Sequence, residues 1–152
     1  MQRHFTAVIT VLLIWVLLGV ATTDALSCIA APETIGSFNR ESTVYKSGYN
    51  GEYWESRYVR PQDQSVFLLR QYTAELNYSL ASPIESFELD GTTIWHYSYP
   101  MNISEENRTI RIQIYLYYWE QGDCYLELEG GNRQILLDSL AALIAVKKGV
   151  EQ

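Results

Sequence analysis

The stretch Thr109-Ile110-Arg111-Ile112-Gln113-Ile114-Tyr115-Leu116-Tyr117-Tyr118-Trp119 decides the fold class. Ile110, Ile112, Ile114, Leu116 and Tyr118 fall on one side, and Thr109, Arg111, Gln113, Tyr115, Tyr117 and Trp119 on the other. A period of two is what a pleated chain imposes, because successive side chains leave opposite faces. The β-branched and aromatic residues that fill the stretch favour a half-buried strand. It is predicted as the central strand of a sheet.

Downstream, Gly122-Asp123 turns the chain into Cys124 to Glu129, where Cys124, Leu126 and Leu128 point one way and Tyr125, Glu127 and Glu129 the other. Gly130-Gly131-Asn132 then breaks the sheet. Ile135, Leu136, Leu140, Leu143 and Ile144 recur at helical spacing and predict an amphipathic helix over 133–148. Its Lys147 and Lys148 complement the negative end of the helix dipole.

Upstream, Glu85 to Leu89 and Thr92 to Tyr99 surround the tight-turn pair Asp90-Gly91, and Pro100 is expected to stop the returning strand. Over 66–80 the even positions Val66, Leu68, Tyr72, Ala74, Leu76, Tyr78 and Leu80 are apolar with Arg70 the exception, which predicts two strands or one long bent strand. A helix there would leave Phe67 and Tyr78 out of register. Ser42 to Tyr49 and Glu52 to Val59 flank the hairpin signal Asn50-Gly51, and Arg60-Pro61 ends the second of them. The lead-in from Cys28 to Arg40 receives no firm element. The expected fold is α+β: an antiparallel, strongly twisted sheet of about six or seven strands, open or curled to a half-barrel, with one C-terminal amphipathic helix laid against it.

A chain of 152 residues, 47% hydrophobic and 19% charged, makes one globular domain. Its formal charge of −7 repels phosphate backbones and anionic lipid head groups, so nucleic acid is excluded from the expected partners. Residues 1–25 have signal-peptide order: Arg3, an apolar run from Ala7 to Ala21, then small and polar residues. Thr23 and Ala25 suit cleavage before Leu26, leaving 26–152 as a single β-rich domain, secreted or extracellular. Two alternatives keep a membrane link facing outward. The leader stays as an anchor, or Ala25-Leu26-Ser27-Cys28 acts as a lipidation box that acylates Cys28.

An even cysteine count in an exported chain favours a bridge, Cys28–Cys124, worth roughly 3 to 4 kcal/mol through the long loop it closes. Asn77, Asn102 and Asn107 each begin an N-x-S/T triplet and are candidate glycosylation sites. Asn102 and Asn107 are expected in a loop between strands, Asn77 inside one.

Chemistry is sparse. His96 is the single histidine after the leader, so a multi-histidine zinc site is excluded and a Ser-His-Asp triad would have to use it. No nucleophile-elbow, zinc-protease, dithiol or phosphate-loop motif occurs, and no metal or cofactor is expected. The carboxylate pairs Glu127 with Glu129 and Glu85 with Glu88 are the remaining acid–base candidates; strand alternation explains the first as a solvated face. The chain is instead rich in tyrosine, 12 residues in all, with Trp54, Trp95 and Trp119 beside them. Two aromatic rows, Trp95, Tyr97, Tyr99 and Tyr115, Tyr117, Trp119, are candidate binding surfaces, since Tyr and Trp supply rigid amphipathic area at low entropic cost.

Tyr49-Asn50-Gly51-Glu52-Tyr53-Trp54-Glu55 loosely resembles the G-x-W-Y opening of lipocalins, with Tyr53 before Trp54 and Trp54 three places after Gly51. The resemblance implies a barrel with a C-terminal helix carrying a small apolar ligand. Phe67 to Tyr72 and Ile114 to Trp119 are faintly similar to exosortase-associated exported proteins, without the cysteine-bearing motif of that family. From the residues themselves, the leading expectation is a small exported binding domain, not an enzyme, that meets a protein or carbohydrate through an aromatic sheet face. The alternatives are a lipocalin-like carrier with an enclosed aromatic cavity, and a hydrolase built on His96 or a carboxylate pair.

Overall fold

The backbone φ values of Asp90 (53°) and Gly91 (78°) are both positive, the conformation a two-residue hairpin needs, and the Asp-Gly pair meets it at little steric cost. In the computed structural model, which describes residues 31–48, 51–76, 82–105 and 108–150, the chain forms eight strands and one helix. They are β1 (Thr34–Ile35), β2 (Phe38–Gly48), β3 (Gly51–Val59), β4 (Val66–Tyr72), β5 (Glu85–Leu89), β6 (Thr92–Glu105), β7 (Arg108–Gln121), β8 (Cys124–Gly130) and α1 (Arg133–Val150). The strands make one sheet in the order β1-β2-β3-β4-β8-β7-β6-β5, antiparallel at every pairing. The sheet curls into a half-barrel, so the α+β expectation stands with eight strands rather than six or seven. The additional strand is the two-residue β1 in the lead-in, where the Tyr58 hydroxyl donates to the Pro32 carbonyl at 2.7 Å and Arg40 donates to that of Ala31.

Four further expectations are corrected. The pair Gly48–Gly51 closes the β2–β3 hairpin, so the connection sits one place earlier than Asn50-Gly51. β4 ends at Tyr72, so 66–80 is not one long strand; a second strand reaching residue 80 falls on 77–81, outside the described residues. Pro100 does not stop β6, because among the described residues the strand has no neighbour on its outer side there and the missing N–H costs no ladder bond. The long 109–119 strand, now β7, lies sixth in the sheet, while β4 and β8 are central.

α1 covers one face. Leu136, Leu140, Leu143 and Ile144 pack with Phe38, Tyr58, Phe67, Leu69, Ile94, Tyr117, Trp119, Leu126 and Leu128 into the main core. On β4 the residues that enter it are Phe67 and Leu69, the odd positions, so the apolar even row points away from the helix. Asn132 caps the helix, its Oδ1 accepting from the Ile135 N–H at 3.2 Å. Gly130 lets the helix come close: a Cβ there would sit 3.3 Å from Leu136 Cδ2 and 3.4 Å from Phe67 Cβ.

Candidate functional site

The face turned away from α1 is set by register. Glu55 pairs with Arg70, Arg70 with Glu127, Glu127 with Tyr118 and Tyr118 with Trp95, one row across β3, β4, β8, β7 and β6. Beside it run Lys46, Tyr53, Tyr72 and Tyr125 on one flank and Leu68, Glu129, Leu116 and Tyr97 on the other. Antiparallel strands place directly opposed side chains within contact, so charges four strands apart in sequence become neighbours.

Arg70 organises this face. Its Nε donates to Glu55 Oε2 at 2.8 Å, its Nη1 and Nη2 donate to the two oxygens of Glu129 at 3.0 and 3.1 Å, and Glu127 Oε2 lies 3.4 Å from Nη1. Lys46 Nζ donates to the other oxygen of Glu55, Tyr72 donates to Glu127 at 3.0 Å and Tyr99 to Glu129 at 2.8 Å. The side chains are 16% exposed at Arg70 and 4% at Glu127, so the pairing acts where water screens little. Burial would raise the Glu55 carboxyl, but the hydrogen bonds from Lys46 and Arg70 outweigh it and hold it below its ordinary value. Burial and the carboxylate partners push the Tyr72 and Tyr99 hydroxyls well above theirs.

These are saturated, cross-linking contacts that staple β2, β3, β4, β8 and β6 together. Glu127 and Glu129 therefore share a face as expected, but not a solvated one: both are ion-paired to one guanidinium. Glu85 and Glu88 lie on opposite faces of β5, the first near His96, the second accepting from Thr93. Among the described residues no group of three or more His, Cys, Asp or Glu is placed to hold a metal ion.

Next to the ion network the sheet narrows to two strands. β8 ends at Gly130, opposite Tyr115, and β5 begins at Glu85, opposite His96. Beyond those points residues 97–105 and 108–114 run on as a ribbon with no described strand at either edge. Its rungs Tyr99–Ile114, Met101–Ile112 and Ile103–Ile110 share the face of the ion network; Pro100–Gln113, Asn102–Arg111 and Ser104–Thr109 share the other. Tyr99, Met101, Ile103 and Ile110 are 39%, 41%, 36% and 46% exposed. An apolar stripe thus continues from the half-buried Trp95 and Tyr97 out along the ribbon.

The two aromatic rows expected as binding surfaces are placed on opposite sides of the sheet. Trp95, Tyr97 and Tyr99 lie on the open face, with Tyr99 at the root of the ribbon. Tyr115, Tyr117 and Trp119 face α1, and Tyr117 and Trp119 have no exposure at all, so they are core residues rather than part of a surface. The cause is register: odd positions of β6 sit opposite even positions of β7. Arg70 and Glu55 carried a signal in the sequence, a charge interrupting an apolar row and another in an aromatic strand, but their convergence needs the strand order.

His96 is buried on the helix face, its Nδ1 3.0 Å from Glu85 Oε1 and its ring stacked on Tyr117 at 4.7 Å between centroids. Arg133 of α1 donates to the same Glu85 oxygen at 2.6 Å. The far nitrogen, Nε2, is buried with no hydrogen-bond partner among the described residues, so no described hydroxyl or thiol is paired to it as a nucleophile. Nor do the described strands close a barrel: the sheet ends in the separate strands β1 and β5, and α1 fills the face that a lipocalin-like carrier would keep open for its ligand. A pocket of about 80 Å³ lies between the β1–β2 turn and α1, lined by Ile35, Phe38, Arg60, Ile135, Asp138 and Ser139.

Of the processing sites, Cys124 is buried at the start of β8 and carries no free thiol, while Cys28 lies outside the described residues. Asn102 is exposed within β6 rather than in a loop, and Asn77 and Asn107 lie outside the described residues. Among the described residues no helix is long and apolar enough to cross a membrane, and residues 1–25 are not among them. No protein-family model, curated protein or solved structure matches the chain.

Proposed function

We propose that the chain is an exported binding domain that engages a protein partner through the apolar face of the β6–β7 ribbon, with Trp95, Tyr97 and Tyr99 at its root. The observation that carries this reading is the stripe Tyr99, Met101, Ile103 and Ile110, each more than a third exposed on a ribbon with no described strand at either edge. A two-stranded ribbon is marginal in water by itself, and contiguous exposed apolar surface marks an interaction site. A protein fits better than a sugar because the outer rungs are aliphatic rather than planar rings.

Export rests on the order of residues 1–25, and with it go three further proposals: removal of the leader before Leu26, the bridge Cys28–Cys124, and glycans on Asn77, Asn102 and Asn107 in a host that attaches them. A glycan on Asn102 would stand on the polar side of the ribbon and leave the stripe clear. Intact mass of the secreted protein, with and without reductant and glycosidase, reads all three.

The binding proposal is tested by immobilising the domain and its Ile103→Lys/Ile110→Lys variant and exposing both to the secreted and surface proteins of the native host. A partner held by the parent and lost from an equally heat-stable variant supports the reading. Equal retention by both, or none by either, overturns it.

A further inference from the structure

We infer that the ribbon takes its partner as an added strand, on the edge of β7 at residues 108–114 that no described strand covers, and that the strand it accepts alternates apolar with acidic side chains. This rests on the binding role proposed above and specifies its chemistry. The two edges of the ribbon are not equivalent. The outer edge of β6 holds Pro100 at its middle, which has no N–H to offer and interrupts a ladder. The edge of β7 holds Arg108, Thr109, Ile110, Arg111, Ile112, Gln113 and Ile114, all able to donate, and alternate residues present both N–H and C=O away from β6.

That edge is also the continuation of a lane already laid out. β8 pairs β7 from Gln121 back to Tyr115, and then Gly131-Asn132 lead the chain away into α1. An incoming segment of about seven residues would take up the lane where β8 leaves it, antiparallel to β7. Its side chains on one face would lie beside Ile110, Ile112 and Ile114 and extend the apolar stripe. Those on the other would lie beside Thr109, Arg111 and Gln113. Arg111 is exposed and has no acidic partner among the described residues, although the chain carries a net charge of −7. Opposite charges directly across a strand pair attract and like charges repel, so Arg111 selects a carboxylate on the incoming strand.

The test uses the intact domain and three capped, fluorescent heptapeptides: alternating valine and glutamate, alternating valine and lysine, and the glutamate peptide N-methylated at alternate backbone nitrogens. Anisotropy should show binding of the first and about tenfold weaker binding of the second, with Arg111→Glu reversing that order. The N-methylated peptide, which keeps the side chains but cannot complete the ladder, should fail to bind. Amide exchange should slow at 108–114 and not along the β6 edge. No binding of the glutamate peptide, equal binding of its N-methylated form, or indifference to Arg111→Glu would overturn the proposal. If the peptides fail while Ile103→Lys/Ile110→Lys still abolishes capture of a native partner, only the added-strand inference falls. If the peptide binds but that variant captures normally, the proposed binding face falls instead.

Discussion

The hydroxyl of Tyr99 reaches over β7 to donate to the carboxylate of Glu129 on β8 at 2.8 Å, and so ties the root of the ribbon to the ion network in the middle of the open face. Tyr99 belongs to the exposed stripe and Glu129 to the network that staples the central strands, so surface and scaffold meet in one hydrogen bond.

Removing that hydroxyl should loosen the ribbon without unfolding the sheet. Tyr99→Phe is expected to cost about 1 kcal/mol, the typical net worth of one partly exposed hydrogen bond. The local effect is larger than the global one: amide exchange should quicken over 97–105 and 108–114 while the β4–β8 pair keeps its protection.

Arg70 is the harder loss. Arg70→Met leaves Glu55, Glu127 and Glu129 facing each other without the guanidinium they share, and should destabilise by about 3 kcal/mol in urea unfolding. Adding Glu127→Gln to Arg70→Met should recover part of this, because the repulsion goes with the charge. A single loss no larger than that of an exposed arginine would show that the network does not hold the strands.

Stability should fall at both ends of the pH range. Glu55 has a folded-state pKa below its unfolded value, so its contribution is complete above the ordinary carboxylate range and is lost as pH falls through the lower folded value. The tyrosines act in the opposite sense. Burial raises Tyr58 to about 12 and Tyr72, Tyr99 and Tyr118 above their ordinary value, so the unfolded chain releases those protons first, near pH 10. Urea midpoints should hold up to about pH 10 and decline beyond it, with tyrosinate absorbance rising in step with unfolding.

Gly130 is tested by the smallest possible addition. Gly130→Ala puts a methyl 3.3 Å from Leu136 Cδ2, and the helix must shift or the leucine turn. A loss of about 1 kcal/mol is expected, with lowered helix protection by amide exchange. Gly131→Ala, whose added methyl meets nothing, should leave helix protection unchanged and serves as the control.

Most elements were legible locally. The Asp90-Gly91 hairpin, the β7 alternation and the C-terminal helix each depend on residues a few places apart, and the chain alone determined them. Pro100 misled because a proline ends a strand only where its missing N–H is needed, and whether a neighbour needs it is not a local property.

Only the tertiary structure decided which face is inside. In β4, β6 and β7 both faces carry large apolar or aromatic side chains, so a period of two names the faces without ranking them. Strand order and register then put Tyr117 and Trp119 under the helix, Trp95 and Tyr99 outside, and Glu55, Arg70, Glu127 and Glu129 in one network drawn from three strands. Lateral pairing is settled by contacts between residues as many as 59 positions apart, as Arg70 and Glu129 are, and no local pattern encodes which strands become neighbours.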